Sequence, residues 1–134
     1  MTRKPHKARS GRKRTLTYAG LKKKADRAFS EWVRQKDSFD GYGTCATCKT
    51  VYNRKLLQCG HFISRVHLST RWDERNCAPQ CYACNVLRRG NPGEFALYLT
   101  KKYGPNIIAE LVEKKRETVK YTRSDLEDLI RKYS

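Results

Sequence analysis

The sequence predicts an α+β fold in which helices flank a small cysteine-rich centre of short strands. Three observations predict it: an amphipathic helical pattern before residue 38, two Cys-x-x-Cys pairs in turn-rich sequence, and capped helical patterns after Gly90. The chain has 134 residues, which suits one domain of roughly 100–200 residues plus a tail. We therefore expect a disordered basic tail over residues 1–17 and a single domain over residues 18–134.

The first segment of that domain, residues 18–38, carries an apolar stripe on an otherwise basic helix. The turn-forming residues between Asp37 and Gly43 end this pattern, so we expect the helix over about residues 18–37. The residues of the stripe recur at three- and four-residue steps, which is the spacing of one helical face: Leu21, Ala25, Ala28, Phe29, Trp32 and Val33.

The other two segments are the cysteine-rich centre, residues 41–91, and a helical part, residues 92–134. Within the centre, Thr44 to Ile63 predicts short strands and turns, and Cys81 to Arg89 predicts a short helix that stops at Gly90. In the helical part, Asn91-Pro92 predicts the start of one helix and Gly104 its end, and Pro105 predicts the start of the next. The spacing of Ser124-Asp125-Leu126-Glu127 predicts a capping box at the start of a last helix.

The charge of the chain indicates a polyanionic partner. Thirty Lys and Arg outnumber thirteen Asp and Glu, giving +17, and ten of these bases precede Ala25 without any acid among them. A second basic zone spans residues 41–93, with eight bases and two acids. One alternative is that these charges only keep the domain soluble. A second alternative is binding to an anionic membrane, but the tail lacks the apolar face of an interfacial helix. No apolar run approaches the roughly 18 residues of a membrane span, so we expect a soluble, intracellular protein that binds nucleic acid.

The two Cys-x-x-Cys pairs, Cys45 with Cys48 and Cys81 with Cys84, predict a structural zinc knuckle. Four thiolates around one tetrahedral ion leave no open position for chemistry. A redox pair is the competing interpretation, but neither Cys-x-x-Cys precedes a thioredoxin-like βαβ pattern. The remaining two cysteines, Cys59 and Cys77, are interpreted as small buried hydrophobes, although each would also suit an alternative ligand set.

The order of polar residues around these pairs resembles a nuclease motif. His61, then Asn76 and then Asn85 directly after Cys84 follow the order of the HNH, or ββα-metal, motif. More closely, the segment from Cys45 through Asn91 is similar to the NinG/Rap family of phage recombination endonucleases. The basic helix before this segment, the run Arg-x-x-Glu-Arg-Asn within it and the helices after it all have counterparts there. The resemblance implies a ββα-metal (HNH) core that carries the zinc knuckle, flanked by a basic N-terminal helix and by C-terminal helices.

The resemblance also implies catalytic roles. His61 would be the general base, and Asn85 would offer an amide oxygen to Mg²⁺, for which Mn²⁺ is expected to substitute. Asn76 would pin the loop between the strands. Many HNH nucleases carry Asp or His before the catalytic histidine, whereas this chain has Gly60. Candidates for the second ligand are Glu74, Asp73, His67, or water and the substrate phosphate.

The partner that the resemblance implies is branched DNA, such as Holliday junctions and D-loops. Cutting both strands symmetrically would require two active sites, so a homodimer is also expected. No pattern indicates a base-reading helix, so DNA shape is expected to set the substrate. As a phage-encoded protein it would act in the cytoplasm of a bacterial host. The alternatives are a DNA-binding or annealing accessory protein that does not cut, and a sequence-reading restriction or homing nuclease. Trp72 and Tyr82 are expected as stacking surfaces, and the expected phosphate contacts are Lys13, Arg14, Arg54, Lys55, Arg65, Arg71, Arg75, Arg88 and Arg89.

Overall fold

The computed structural model describes residues 15–134, and the chain there is a mixed α+β fold. Most of the expected basic tail, including Lys13 and Arg14, lies outside the described residues. The described helices include none long and apolar enough to cross a membrane. The elements in chain order are α1 (Tyr18–Gln35), β1 (Tyr42–Thr44), β2 (Val51–Asn53), β3 (Leu57–His61), α2 (Leu68–Arg71), β4 (Cys77–Cys81), a π-helical turn (Ala83–Leu87), α3 (Pro92–Tyr103), α4 (Ile107–Lys115) and α5 (Arg123–Tyr133).

Helix α1 forms as its apolar spacing predicts. The Thr17 side chain caps its start by accepting a hydrogen bond from the Gly20 N–H at 3.0 Å. The predicted stripe is inward: Leu21, Ala25, Phe29 and Val33 are buried and pack with Leu126 and Tyr133 of α5. The helix ends at Gln35, two residues before the predicted end.

Two antiparallel ribbons form the centre. Strands β1 and β2 pair from Tyr42 opposite Asn53, and the turn between them carries the first cysteine pair. Strands β3 and β4 pair with His61 opposite Cys77. Cys77 packs into the cluster of α1 and α5, whereas its neighbour Ala78 packs into a cluster with α3 and α4. The β3–β4 ribbon therefore lies between two helical layers, one on each face.

The segment after β4 differs from the predicted helix over Cys81–Arg89. Cys81 still belongs to β4, and only Ala83–Leu87 is helical, as a π turn. Left-handed backbone at Arg89, Gly90 and Asn91 (φ 52°, 86° and 46°) ends it at once. The helical turn therefore begins two residues later and ends two residues earlier than predicted, and Gly90 lies in the left-handed segment that follows it.

The C-terminal helices follow the predicted pattern with two corrections. Helix α4 begins at Ile107 after Asn106, two residues later than the predicted opening at Pro105. Helix α3 begins with Pro92 at its first position, as predicted. The capping box of α5 consists of Thr122 and Asp125, and the prediction of Ser124 with Glu127 is wrong. Both pairs have the same spacing, but Thr122 has an extended backbone (φ −77°, ψ 167°) outside the helix, while Ser124 is already helical.

Candidate functional site

The four cysteines of the predicted knuckle meet at one point. Their sulfur atoms all lie within 4.8 Å of one another, and the Cys48 and Cys81 sulfurs are 3.8 Å apart. A tetrahedral ion with Zn–S bonds of about 2.3 Å has sulfur–sulfur edges of about 3.8 Å. The cluster fits the donor set and the size of a structural zinc site and could hold such a metal.

Main-chain amides around the knuckle donate hydrogen bonds to its sulfur atoms. The Cys81 N–H donates to the Cys45 sulfur at 3.3 Å, and the Cys84 N–H donates to the Cys81 sulfur at 3.4 Å. Burial raises the pKa of Cys45, but hydrogen bonds from Cys48, Thr47 and Cys81 outweigh it and lower the pKa to about 6. The thiolate form of Cys45, which is the form that binds metal, is therefore favoured, whereas burial raises the pKa of Cys81 to about 11.

Gln80 connects the knuckle to the β3–β4 ribbon. Its Nε2 donates to the Gly90 carbonyl at 2.9 Å and to the Thr47 hydroxyl at 3.2 Å. The side chain crosses the space beside Gly60, where a Cβ atom would stand 1.9 Å from Gln80 Oε1. Gly60, noted in the sequence only as a missing ligand, is therefore required by close packing.

His61 ends β3 with its ring fixed by the main chain. Its Nε2 lies 2.9 Å from the Arg71 carbonyl oxygen, and because a carbonyl only accepts, Nε2 carries the proton. The lone pair is then on Nδ1. Burial lowers the pKa of His61, and Arg65 lowers it further against the opposing effect of that carbonyl. The half-buried ring is neutral near pH 7, as a general base must be.

Asp26 of α1 holds the loop that carries this carbonyl, and the sequence analysis missed it. Its carboxylate accepts hydrogen bonds from Arg71 Nε at 2.9 Å and from Trp72 Nε1 at 3.0 Å. Asp26 thereby positions the Arg71 main chain against His61. The one signal in the sequence is that Asp26 is the first acidic residue of the chain.

Asn76 is fully buried and ties the ends of the β3–β4 loop together. Its Oδ1 accepts from the Ile63 N–H at 2.8 Å, while Nδ2 donates to the carbonyls of Ile63 and Thr70 at 3.0 and 3.1 Å. These contacts are the ones that a loop-pinning residue makes.

Asn85 lies on the π turn, where its Nδ2 donates to Gln58 Oε1 at 2.7 Å. This bond leaves Asn85 Oδ1 available to a cation. Gln58 and His61 are three residues apart on β3, so their side chains leave opposite faces of the ribbon. The structure does not bring Asn85 and His61 to one face.

A comparison with protein-family models decides the identity. The model described as Bacteriophage Lambda NinG protein matches residues 1–134. The chain belongs to the NinG family. No curated protein and no solved structure matches it. Family membership confirms the predicted resemblance to NinG/Rap, extends it over the basic tail, and suggests a phage protein related to recombination.

In this NinG-family chain, the remaining ligand candidates make other contacts. Glu74 accepts a hydrogen bond from the Tyr133 hydroxyl at 2.9 Å, and Asp73 forms ion pairs with Arg75 and Lys114. Neither these acids nor His67 joins a cluster of possible metal ligands within residues 15–134. The clusters found there are the four knuckle cysteines and a second set of Cys59, His61 and Cys77.

Several residues predicted to contact DNA in this NinG-family chain instead form ion pairs or are buried within the fold. Arg71 pairs with Asp26, and Arg75 pairs with Asp73 and Glu110. Trp72 is 6% exposed, so its predicted role as a stacking surface is wrong, because its indole packs in the core beside α1. Tyr82, at 54%, is open to a partner. Of the predicted contacts, Arg65, Arg88 and Arg89 remain accessible, and so do Arg54 and Lys55, which line a groove with Arg34 and Glu31 of α1.

Proposed function

We propose that this NinG-family protein is a Mg²⁺-dependent, structure-selective endonuclease that hydrolyses phosphodiesters in branched DNA recombination intermediates. Holliday junctions and D-loops are the expected substrates. Family membership supports a role in recombination, and the order β3, β4, π turn supports a ββα-metal core. The observation that carries hydrolysis is the fixed, neutral His61 ring with its lone pair on Nδ1.

In the proposed reaction, His61 takes a proton from the attacking water at Nδ1. The Arg71 carbonyl holds the ring in this tautomer, and Asp26 keeps that carbonyl in place through the Arg71 side chain. The exposed Arg65, which lowers the pKa of His61, is suited to hold a phosphate oxygen next to the ring. A fixed general base of this kind contributes about 10²–10⁴ to the rate.

The two proposed metals have different support. Zinc in the knuckle would be structural, because four sulfurs close the coordination shell. The proposed ligand for Mg²⁺ is the amide oxygen Asn85 Oδ1, and a single such ligand suits a weak site completed by water and the substrate phosphate. When bound, Mg²⁺ would neutralise charge on the phosphate and on the leaving 3′ oxygen.

Branched DNA is proposed as the partner because accessible cations border the ribbon. Since no sequence pattern indicates a base-reading helix, DNA shape is proposed to set the substrate. Cutting a junction symmetrically requires two active sites, which favours a homodimer. We propose the helices after Gly90 or helix α1 as its contact surface. The site of action would be the cytoplasm of the bacterial host, where the DNA is.

One observation favours a second candidate, a zinc-knuckle protein that binds or anneals DNA without cutting. Asn85 and His61 leave opposite faces of the β3–β4 ribbon, so a cation on Asn85 would not share a face with the base. Such a protein would keep the knuckle and the basic surface while lacking hydrolysis.

The experiment that separates the two candidates is incubation of purified protein with a labelled four-way junction and a matched linear duplex. Reactions with Mg²⁺ or chelator are resolved on a denaturing gel. We expect nicks in the junction with Mg²⁺ only, and a loss of at least about 10²-fold in His61→Ala with junction binding retained. His67→Ala is the matched control and should cut normally. Binding without nicks would support the accessory protein, and full activity of His61→Ala would remove the assigned base.

A further inference from the structure

The two cysteines outside the knuckle lie beside the histidine of the proposed active site. Cys59 precedes His61 by two residues on β3, and Cys77 stands directly opposite His61 on β4. Strand alternation and register therefore direct all three side chains to one face of the ribbon, the face that packs on α1.

The possible ligand atoms of these residues form a compact group. The two sulfurs and one ring nitrogen all lie within 4.8 Å of one another. A tetrahedral zinc ion needs separations of roughly 3.5 to 3.8 Å between such atoms. Rotamer adjustments of about 1 Å would close the set.

The hydrogen bond of His61 matches that of a metal ligand. Ligating histidines commonly donate their second ring N–H to a carbonyl or carboxylate, which fixes the tautomer. His61 makes this bond from Nε2 to the Arg71 carbonyl, so Nδ1 is the unprotonated ring nitrogen that an ion would bind. The Arg71 segment is in turn held by Asp26, so the ring orientation is supported from two elements.

We propose that Cys59, His61 and Cys77 form a second metal site, which binds a thiophilic divalent ion such as Zn²⁺. Two sulfurs and an imidazole select zinc or cobalt over Mg²⁺, which prefers oxygen. Cys77 is buried, whereas Cys59 and His61 are half-buried, so the ion can enter from the side of these two. Three protein ligands leave a fourth position for water.

Occupancy of this site would stop the proposed reaction. The ion and the abstracted proton use the same Nδ1 lone pair, so a zinc-bound His61 cannot act as the base. This consequence rests on the proposed function, whereas the existence of the site does not.

The site is tested by counting metal in the full-length reduced protein after dialysis against zinc and then against metal-free buffer. We expect two zinc ions per chain in the wild type, one in Cys59→Ser, one in His61→Gln, and two in the control His67→Gln. His61→Gln removes only an imidazole, so it answers the question if Cys59→Ser does not fold. One ion in the wild type, or two in Cys59→Ser, would overturn the site.

Cobalt and cleavage assays complete the test. Co²⁺ added to wild-type protein should give a sulfur-to-cobalt charge-transfer band that is diminished in Cys59→Ser, and an undiminished band would contradict the ligand set. Zinc should inhibit junction cleavage by the wild type at least tenfold more than cleavage by Cys59→Ser. Absence of cleavage by every protein would count against the nuclease and leave the metal count as the test of the site.

Discussion

Asp26 of α1 connects this helix to the loop that holds His61. Its carboxylate holds Arg71 and Trp72, and the side chains of Asp26 and Arg71 are only 21% and 16% exposed. In Asp26→Asn the guanidinium loses its charged partner in this half-buried place, so we expect a loss of about 1–3 kcal/mol in the free energy of unfolding. Because the Arg71 carbonyl would then hold His61 less firmly, junction cleavage should fall as well. Urea unfolding and the gel assay measure the two effects.

Asp128→Asn on α5 is the matched control, since Asp128 is exposed and forms an ion pair with its helical neighbour Arg131. Its effect should stay within about 0.5 kcal/mol. Equal stabilities and equal cleavage of the two variants would show that Asp26 has no such role.

The cysteines of the knuckle can be predicted from the sequence, whereas the role of Asp26 cannot. Cys45, Cys48, Cys81 and Cys84 are predictable because the spacing of each pair suffices for two ligands on one turn. Asp26 acts on a residue 45 positions away, and nothing in the sequence near Asp26 specifies that partner. Gly60 was noticed, but its steric reason depends on the side chain of Gln80 across the ribbon.

At the scale of elements, the start of α5 depends on one cap. The Thr122 side chain accepts from the Asp125 N–H at 3.1 Å, and the Asp125 carboxylate accepts from the Thr122 N–H at 2.8 Å. Because α5 covers α1, Thr122→Ala should reduce the free energy of unfolding by about 0.5–2 kcal/mol. Ser124→Ala, two residues later inside the helix, should cost much less. Urea unfolding measures both losses. If Ser124→Ala lowers the free energy of unfolding more than Thr122→Ala does, Ser124 is the cap, as the spacing alone suggested.

A second element junction makes stability depend on pH. Asp73, just before β4, accepts hydrogen bonds from Arg75 and from Lys114 of α4, which is 2.8 Å away. Burial raises the pKa of Asp73, but these cations outweigh it and lower the pKa in the folded protein. An unfolded aspartate has a pKa of about 3.9, so this stabilisation is complete above that pH and is lost as the pH falls through the lower folded value.

At pH 7 the free energy of unfolding of Asp73→Asn should therefore be about 1–3 kcal/mol lower than that of the wild type, as measured by urea unfolding. This difference should shrink below pH 4. Glu113→Gln, an exposed acid on α4 paired with Arg116, is the control and should change little. If the difference in free energy of unfolding between Asp73→Asn and the wild type is the same at pH 7 and at pH 3, the ionised carboxylate of Asp73 is not the cause of the pH dependence.

The helices were predictable and the relation of the two ribbon faces was not. Periodicity and caps fix α1, α3 and α4 within about two residues, since these signals are local. The short α2 carries too few residues for a periodic signal. The placement of His61 and Asn85 on different faces depends on the register of the strands. A shift of one residue would move every side chain of a strand to the other face, and the order of the motif residues does not specify the register.

At the scale of the whole molecule, the charge divides between residues 15–134, which the structure describes, and the residues before them. Residues 1–14 contain seven Lys and Arg and no acid, and the match to the NinG family includes them. In the folded domain, Arg71 and Arg75 are engaged by acids, so fewer cations than the composition suggests can reach phosphate. The N-terminal residues are therefore expected to supply a large share of the DNA contacts.

Deletion of residues 1–14 should weaken junction binding and flatten its dependence on salt. Each phosphate neutralised contributes about 0.9 to the slope of log K against log salt, so up to seven lost contacts would reduce the slope by as much as about six. Fluorescence anisotropy of a labelled junction at several salt concentrations measures both quantities. A full-length variant with Gln at those seven positions separates charge from length and should behave like the deletion. An unchanged slope in both variants, with unchanged thermal unfolding, would mean that the folded domain alone contacts the phosphates.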